Sequence, residues 1–352
     1  MTTKVAIVRF EDNEAESLQH ALRLVNGIND LNTPEREAVV KVGVFSHKAG
    51  NHTSVPVIDA IINSFSKAPK IYLAESDNYQ GTGLERLQIW RELFSERVVP
   101  FNLSNKANRI VRLAEQDMKL SHILFKPNVL VDTHILRTFE SGSILKNLFG
   151  CIPTSKKRKF HQILGQLLAD IYEVIGGVDL AVLDGTYFWQ GAGDSPVRMN
   201  VLLVGRDAVA VETVGAALAG LKLEKMPVLQ EFIKRGLGEG DLENIEILGT
   251  PLDSLKKEFA SAAKTRRKIG SKRKGPQTWG GLSYRVMEDL IKDGFFRYPD
   301  RRTRKDVVLA LKAKGLSTEG KERKIADSLN RRVKKGALKA TRGPDGWVYW
   351  TE

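Results

Sequence analysis

The sequence predicts an α/β fold, a mostly parallel sheet with flanking helices, followed by a small C-terminal winged-helix-like (α+β) domain. Three observations predict it. Short β-branched apolar runs alternate with amphipathic stretches through residues 1–250, the alternation stops after Gly249, and the charge balance changes sign in the same region. Residues 256–352 hold 27 Lys and Arg against 11 Asp and Glu, a balance of +16, whereas residues 1–255 sum to −3. Positive charge confined to one end of a chain is the mark of a polyanion-binding appendage on a near-neutral body.

In order along the chain, strands are expected at Val5–Val8, Val39–Phe45, Lys70–Ala74, Ile110–Leu113, His122–Lys126, Leu180–Leu183 and Val201–Val204. Helices are expected at Glu14–Val25, Val55–Phe65, Leu84–Phe94, Phe160–Ile175 and Val209–Leu218. A helix at Leu252–Ala263 runs into a basic stretch at Lys264–Lys274 that ends in Gly275 and Pro276. Residues 251–279 therefore read as helix and basic linker between a 1–250 body and a 280–352 domain. In that domain Ser283 is expected to cap a first helix, Thr303 or Arg304 opens a second that Gly315 stops, and a third spans Thr318–Lys335. A hairpin of 337–341 and 347–350 turns at Pro344 to Gly346.

Composition excludes several classes of function. One cysteine in 352 residues leaves no disulfide framework, no four-cysteine zinc site and no cysteine-ligated iron-sulfur cluster within the chain. No uncharged apolar run approaches the ~18 residues that span a bilayer. The expected setting is the cytoplasm, without a membrane partner.

Several runs carry a resemblance: LFKPNVLVDTH from Leu124 to His134, ILKNLFGC from Ile144 to Cys151, Phe160 with His161, Leu183 to Gly185, and QGAG from Gln190 to Gly193. With VAIVR from Val5 and LLVGRDAVAVE from Leu202 to Glu212, they resemble the family numbered 362 among domains of unknown function, over residues 1–250. The resemblance implies an α/β body and no particular chemistry. Many relatives carry a ferredoxin-like cluster domain, which this chain's cysteine count forbids. The pattern departs from the family's usual one at Asp132 and Glu212.

Candidate chemistry clusters where polar residues follow strands, because open α/β sheets bind ligands beyond the carboxyl ends of their strands. His134, Asp184 and Glu212 are catalytic candidates, and His47, His52 and His134 are metal candidates without a zinc-type spacing. Surface histidines and a helix-capping aspartate are the alternative. Lys48, Gly50, Asn51 and Thr53 precede a helix start whose backbone N–H groups could hold an anion, or form only a turn; Gly191 and Gly193 are a weaker version of the same. Lys146 and Asn147 orient a substrate or are solvated and capping, and Cys151 reads as a buried inert thiol. The cofactor stays unknown.

The C-terminal segment gives the expected function. In its third helix Ile325, Leu329 and Val333 recur on one face, and Arg323, Lys324, Arg331 and Lys334 occupy the opposite one. With Lys339 and Arg342 on the hairpin, and Lys264, Arg266, Arg267, Lys268, Lys272, Arg273 and Lys274 on the linker, this is the pattern of a DNA- or RNA-binding domain. Two alternatives stay open. One is an enzyme, or a small-molecule or metal binder, with its site in the body; the other is a ribosome- or protein-docking module. Trp347 and Tyr349 are expected on one face of the last strand and Trp350 on the other.

Overall fold

The computed structural model describes all residues except 1, 11–12, 46–50, 190–195, 270–278, 344–345 and 352; the side chains of 189, 263–269, 279–282 and 285 lie outside the description too. The chain divides into two compact units, Met1–Arg266 and Arg267–Glu352.

The first unit runs β1 (Thr3–Arg9), α1 (Glu14–Leu24), β2 (Ala38–Lys41), α2 (Val55–Ser64), β3 (Ile71–Glu75), α3 (Gly83–Leu87), β4 (Val98–Asn102), β5 (Ala107–Leu113) and β6 (Gln116–Ser121). It continues through β7 (Val129–Arg137), α4 (Ile144–Asn147), α5 (Leu164–Ile175), β8 (Leu180–Trp189), β9 (Val197–Gly205), α6 (Ala208–Leu218), α7 (Pro227–Lys234), β10 (Ile245–Gly249) and α8 (Leu252–Ile269). Eight strands form one sheet in the order β10-β1-β9-β8-β7-β2-β3-β4. Only β9 runs against its neighbours, β1 and β8, so the sheet is mostly parallel. Alternation along the strands divides the core between two faces. Leu130, Leu136, Ala181 and Leu183 join the cluster under α4–α7, whereas Val129, Val131, Leu180 and Val182 join the one under α1 and α2.

Three expectations are corrected here. Residues 122–126 are not a strand: His122–Leu124 is a short 3-10 turn, and the strand is β7, nine residues from Val129 to Arg137. His134 therefore lies within a strand instead of after one. Residues 110–113 belong to β5, which pairs with β6 as a separate antiparallel hairpin outside the large sheet. Its two turn residues, Ala114 and Glu115, both have positive φ (43° and 63°), and Asp170 Oδ2 accepts from Ala114 N–H at 2.6 Å to hold the turn. The basic stretch begins as helix, since α8 continues through Ile269, and Lys264, Arg266, Arg267 and Lys268 stand on its last turns.

The second unit is α9 (Trp279–Lys292), β11 (Arg302–Thr303), α10 (Arg304–Ala313), α11 (Glu322–Lys334), β12 (Lys339–Gly343) and β13 (Gly346–Trp350), its three strands ordered β11-β13-β12. Ser283 falls inside α9 instead of capping it. Thr303 does cap α10, in a reciprocal capping box with Asp306. The core gathers Met287, Leu290, Phe296, Val307, Leu311, Ile325, Leu329 and Tyr349. Along β13 Tyr349 is fully buried, but Trp347, two residues nearer the hairpin turn, is half exposed.

Candidate functional site

The sheet's strand order reverses between β2 and β7, because β2 leads outward to β3 and β7 leads the other way to β8. The register pairs Lys41 with Asp132 at that point, the last residue of β2 beside the middle of β7. A crevice outside the carboxyl ends of strands flanking such a reversal is where open α/β sheets place their ligands.

The reversal is filled by buried polar side chains. Lys41 Nζ, fully buried, donates to Glu75 Oε2 (2.8 Å), Asn147 Oδ1 (3.1 Å) and the Val42 carbonyl (2.9 Å). Asn147 Nδ2 donates to Asp132 Oδ1 (2.6 Å) and to the carbonyls of Lys41 and Thr133. Arg86 approaches Glu75 Oε2 at 3.3 Å and donates to the carbonyls of Ser76 and Val44, and Lys157 Nζ donates to Ser76 Oγ at 2.6 Å. Burial pushes the Glu75 carboxyl up, but Lys41, Arg86 and Lys157 outweigh it and hold Glu75 below the usual range. Burial raises Asp132 to about 7 against the pull of Lys41 and Asn147, and no hydrogen-bond partner among the described residues meets its Oδ2. Two glycines make room. A Cβ on Gly150 would stand 2.5 Å from Lys41 Nζ, and one on Gly43 would stand 2.7 Å from His134.

Above this network opens a cavity of about 1440 Å³. Its Lys and Arg lining is Arg86, Arg137, Lys146, Lys156, Lys157, Arg158 and Lys159; Glu75, already ion-paired, is the one carboxylate among the lining residues. Phe45, Tyr79, Phe149, His134 and His161 supply aromatic surface. Burial, with the charges of Arg137 and Lys41, keeps His134 well below the ordinary imidazole value; its Nδ1 lies 2.7 Å from the Ile135 N and 3.3 Å from the Ile135 carbonyl. Among the described residues Lys146 Nζ is buried without a hydrogen-bond partner, and it sits 3.9 Å from the Phe149 ring centre. Burial, then the charges of Arg137 and Lys157, lower it to about 7, and burial lowers Lys157 to about 8.

The catalytic candidates do not converge. His134 shares the α4–α7 face with Asp132, but Asp184 follows Leu180 and Val182 onto the opposite face and accepts from Ser54 N–H at 2.7 Å. Asp184 thus puts the chain's own carboxylate at the start of α2, the place offered for an external anion or a plain turn, and Thr53 is fully buried with its N–H on the Gly43 carbonyl. Lys48, Gly50, Gly191 and Gly193 lie outside the described residues. Asn51 lies next to them and has a partner of its own. Glu212 has a structural part. It is the one charged residue on the buried α6, and its carboxylate accepts from the N–H groups of Ser143 and Leu145, fixing the segment that carries Lys146 and Asn147.

His52 packs edge-on against Trp90 and keeps its Nδ1 at the Thr53 carbonyl; His47 is outside the described residues. No group of three or more His, Cys, Asp or Glu among the described residues is placed to hold a metal. Cys151 is buried, and burial pushes its thiol up to about 12.

The sequence reading missed Lys41, Glu75, Arg86, Arg137 and Lys157. A lysine inside the apolar run 39–45 and a glutamate directly after the run 70–74 were the available signals.

The family model described as Domain of unknown function (DUF362) matches residues 39–217, about half the chain. This chain belongs to the DUF362 family. The DUF362 segment contains every residue of the buried network and of the cavity lining, and the basic second unit lies outside it. No curated protein and no solved structure matches the DUF362 chain described here.

In the second unit, α11 buries Ile325 and Leu329, half-buries Val333, and exposes Arg323, Lys324, Arg331 and Lys334. No ion pair among the described residues engages those four. The neighbouring Arg332 points inward instead, to Glu288 at 3.0 Å and Ser328 Oγ at 2.6 Å. Lys339 and Arg342 are exposed on β12, with Arg342 directly opposite the exposed Trp347. The side chains of Lys264, Arg266, Arg267 and Lys268, and all of Lys272, Arg273 and Lys274, lie outside the description. No helix is long and apolar enough to cross a membrane, among the described residues.

Proposed function

We propose that the second unit is a winged helix that binds nucleic acid and that α11 is its recognition helix. The observation that carries this is the sorting of α11, whose apolar face is buried while four cations without acidic partners among the described residues face outward. The order helix, strand, helix, helix, strand, strand supports it, because it leaves α11 beside a hairpin whose Arg342 and Trp347 can reach a neighbouring phosphate and base. A helix presented this way fits the major groove of duplex DNA, which A-form RNA keeps too narrow for side chains to read. Work in the reducing cytoplasm agrees with the lone, buried cysteine.

Titration of the full chain against duplex DNA and RNA at several salt concentrations tests it. Phosphate neutralisation releases counterions, so log affinity is expected to fall with log salt at about −0.9 per contact on DNA. Arg331→Ala and Lys334→Ala should each remove about one contact and flatten that slope without unfolding the domain. Affinity that is insensitive to salt, or unchanged in the double variant, overturns the proposal and favours a ribosome- or protein-docking module.

A further inference from the structure

We propose that the cavity over the β2–β7 reversal is a binding site for a small organic anion, a phosphate- or carboxylate-bearing metabolite with a flat or apolar body, and that Lys146 is the group that receives the anion. This proposal is independent of the nucleic-acid reading, since every residue it uses lies in the first unit.

The charge balance of the lining argues first. The deep cations Lys41 and Arg86 are spent on Glu75, and Lys157 donates to Ser76. Among the described residues Lys146 and Arg137 have no carboxylate in hydrogen-bond contact; Arg137 donates to the Gly142 carbonyl and feels the charge of Glu212, whose own hydrogen bonds go to the Ser143 and Leu145 N–H groups. Lys156, Arg158 and Lys159 stand exposed around the mouth. Such an arrangement attracts anions and leaves a buried amine unsatisfied when none is bound. The aromatic wall explains the second half of the ligand. Phe149 lies against Lys146 on one side and His161 on the other, and the Phe45–Tyr79 pair, with rings 5.6 Å apart, is exposed. The volume of about 1440 Å³ exceeds what a bare inorganic ion needs.

The surroundings make binding proton-linked. Lys146 faces Arg137 and His134 from β7, Lys157 and His161 from the 3-10 segment 157–163, and the Lys41–Glu75 pair below. Burial, then the charges of Arg137 and Lys157, leave it about half neutral near pH 7 and mostly neutral above about pH 8 when no anion is bound. An arriving anion favours the ammonium form, so binding takes up a proton, and affinity rises as pH falls. Lys157 adds a smaller uptake at the alkaline end.

The test uses the full chain and two probes, sulfate as a phosphate surrogate and oxalate as a dicarboxylate, neither of which changes its own charge between about pH 6 and pH 8.5. Calorimetric titration at low salt is expected to show saturable binding that strengthens as pH falls, by up to about tenfold per pH unit above about pH 8 and by progressively less below about pH 7. A preference for sulfate identifies the phosphate class, and a preference for oxalate the carboxylate class. Lys146→Met should weaken binding at about pH 6 by tenfold or more, the loss of one charge-assisted contact. Lys146→Arg, which stays charged, should bind at every pH and keep only the shallow alkaline rise. The Arg331→Ala/Lys334→Ala variant should bind both probes as the parent does. Lack of saturation by either probe, or parent-like binding by Lys146→Met, overturns the proposal. So does loss of binding in the C-terminal variant instead, which would place the anion on the second unit.

Discussion

At Asp132 a carboxylate sits fully buried beside a fully buried lysine, and burial still prevails, raising the carboxyl to about 7. Between about pH 4 and pH 7 the folded chain therefore keeps a proton that the unfolded chain has released. Stability falls as pH rises through that window and is flat above it. Asp132→Asn should remove this slope. Its Oδ1 still accepts from Asn147 Nδ2, so denaturant unfolding at about pH 8 should find the variant more stable than the parent, by at most about 4 kcal/mol, with little difference at about pH 4. Equal stability at both pH values would show that Lys41 already compensates the charge. The residues of this network were only partly legible. Asn147 stood out as polar within an apolar run, but Lys41 and Glu75 close two separate strands, and nothing short of the parallel pairing of β2 with β3 brings them to 2.8 Å.

The elements were legible where local chemistry decides them. Thr303 caps α10 because a threonine followed three residues later by an aspartate can satisfy two end groups at once, and both bonds form. Thr303→Ala should cost about 1 kcal/mol of second-unit stability in denaturant unfolding, with Thr303→Ser recovering most of it. No loss in the alanine variant would mean that Asp306 alone holds the turn. Elements were missed where tertiary context overrides the local pattern. β7 carries Asp132, Thr133 and His134 inside a run that would otherwise read as apolar, and these polar residues are buried only because the site lies there. β4 contains Pro100, which argues against a strand, yet β4 is the sheet's edge, where a missing N–H costs no ladder bond.

Over the whole molecule, each unit has cores assembled from its own residues: two clusters on the faces of the large sheet, and a third drawn from Met287 to Tyr349. Calorimetry of the full chain should resolve two transitions. Leu329→Ala, a cavity at a fully buried position, should lower only the smaller one, by an amount corresponding to about 2–5 kcal/mol. A single transition that moves as one would contradict separate cores. At this scale the amino-acid sequence by itself determined the α/β class, the change of character after Gly249, the positive C-terminal segment and the two faces of α11, because periodicity, propensity and charge are local and survive without a partner. Only the tertiary structure decided that Asp184 and His134 face opposite sides of the sheet, that Glu212 anchors the segment before Lys146, and that the cations gather over the β2–β7 reversal. Strand order and register fix those neighbours, and both are set by contacts between residues far apart in the chain, which no local pattern records.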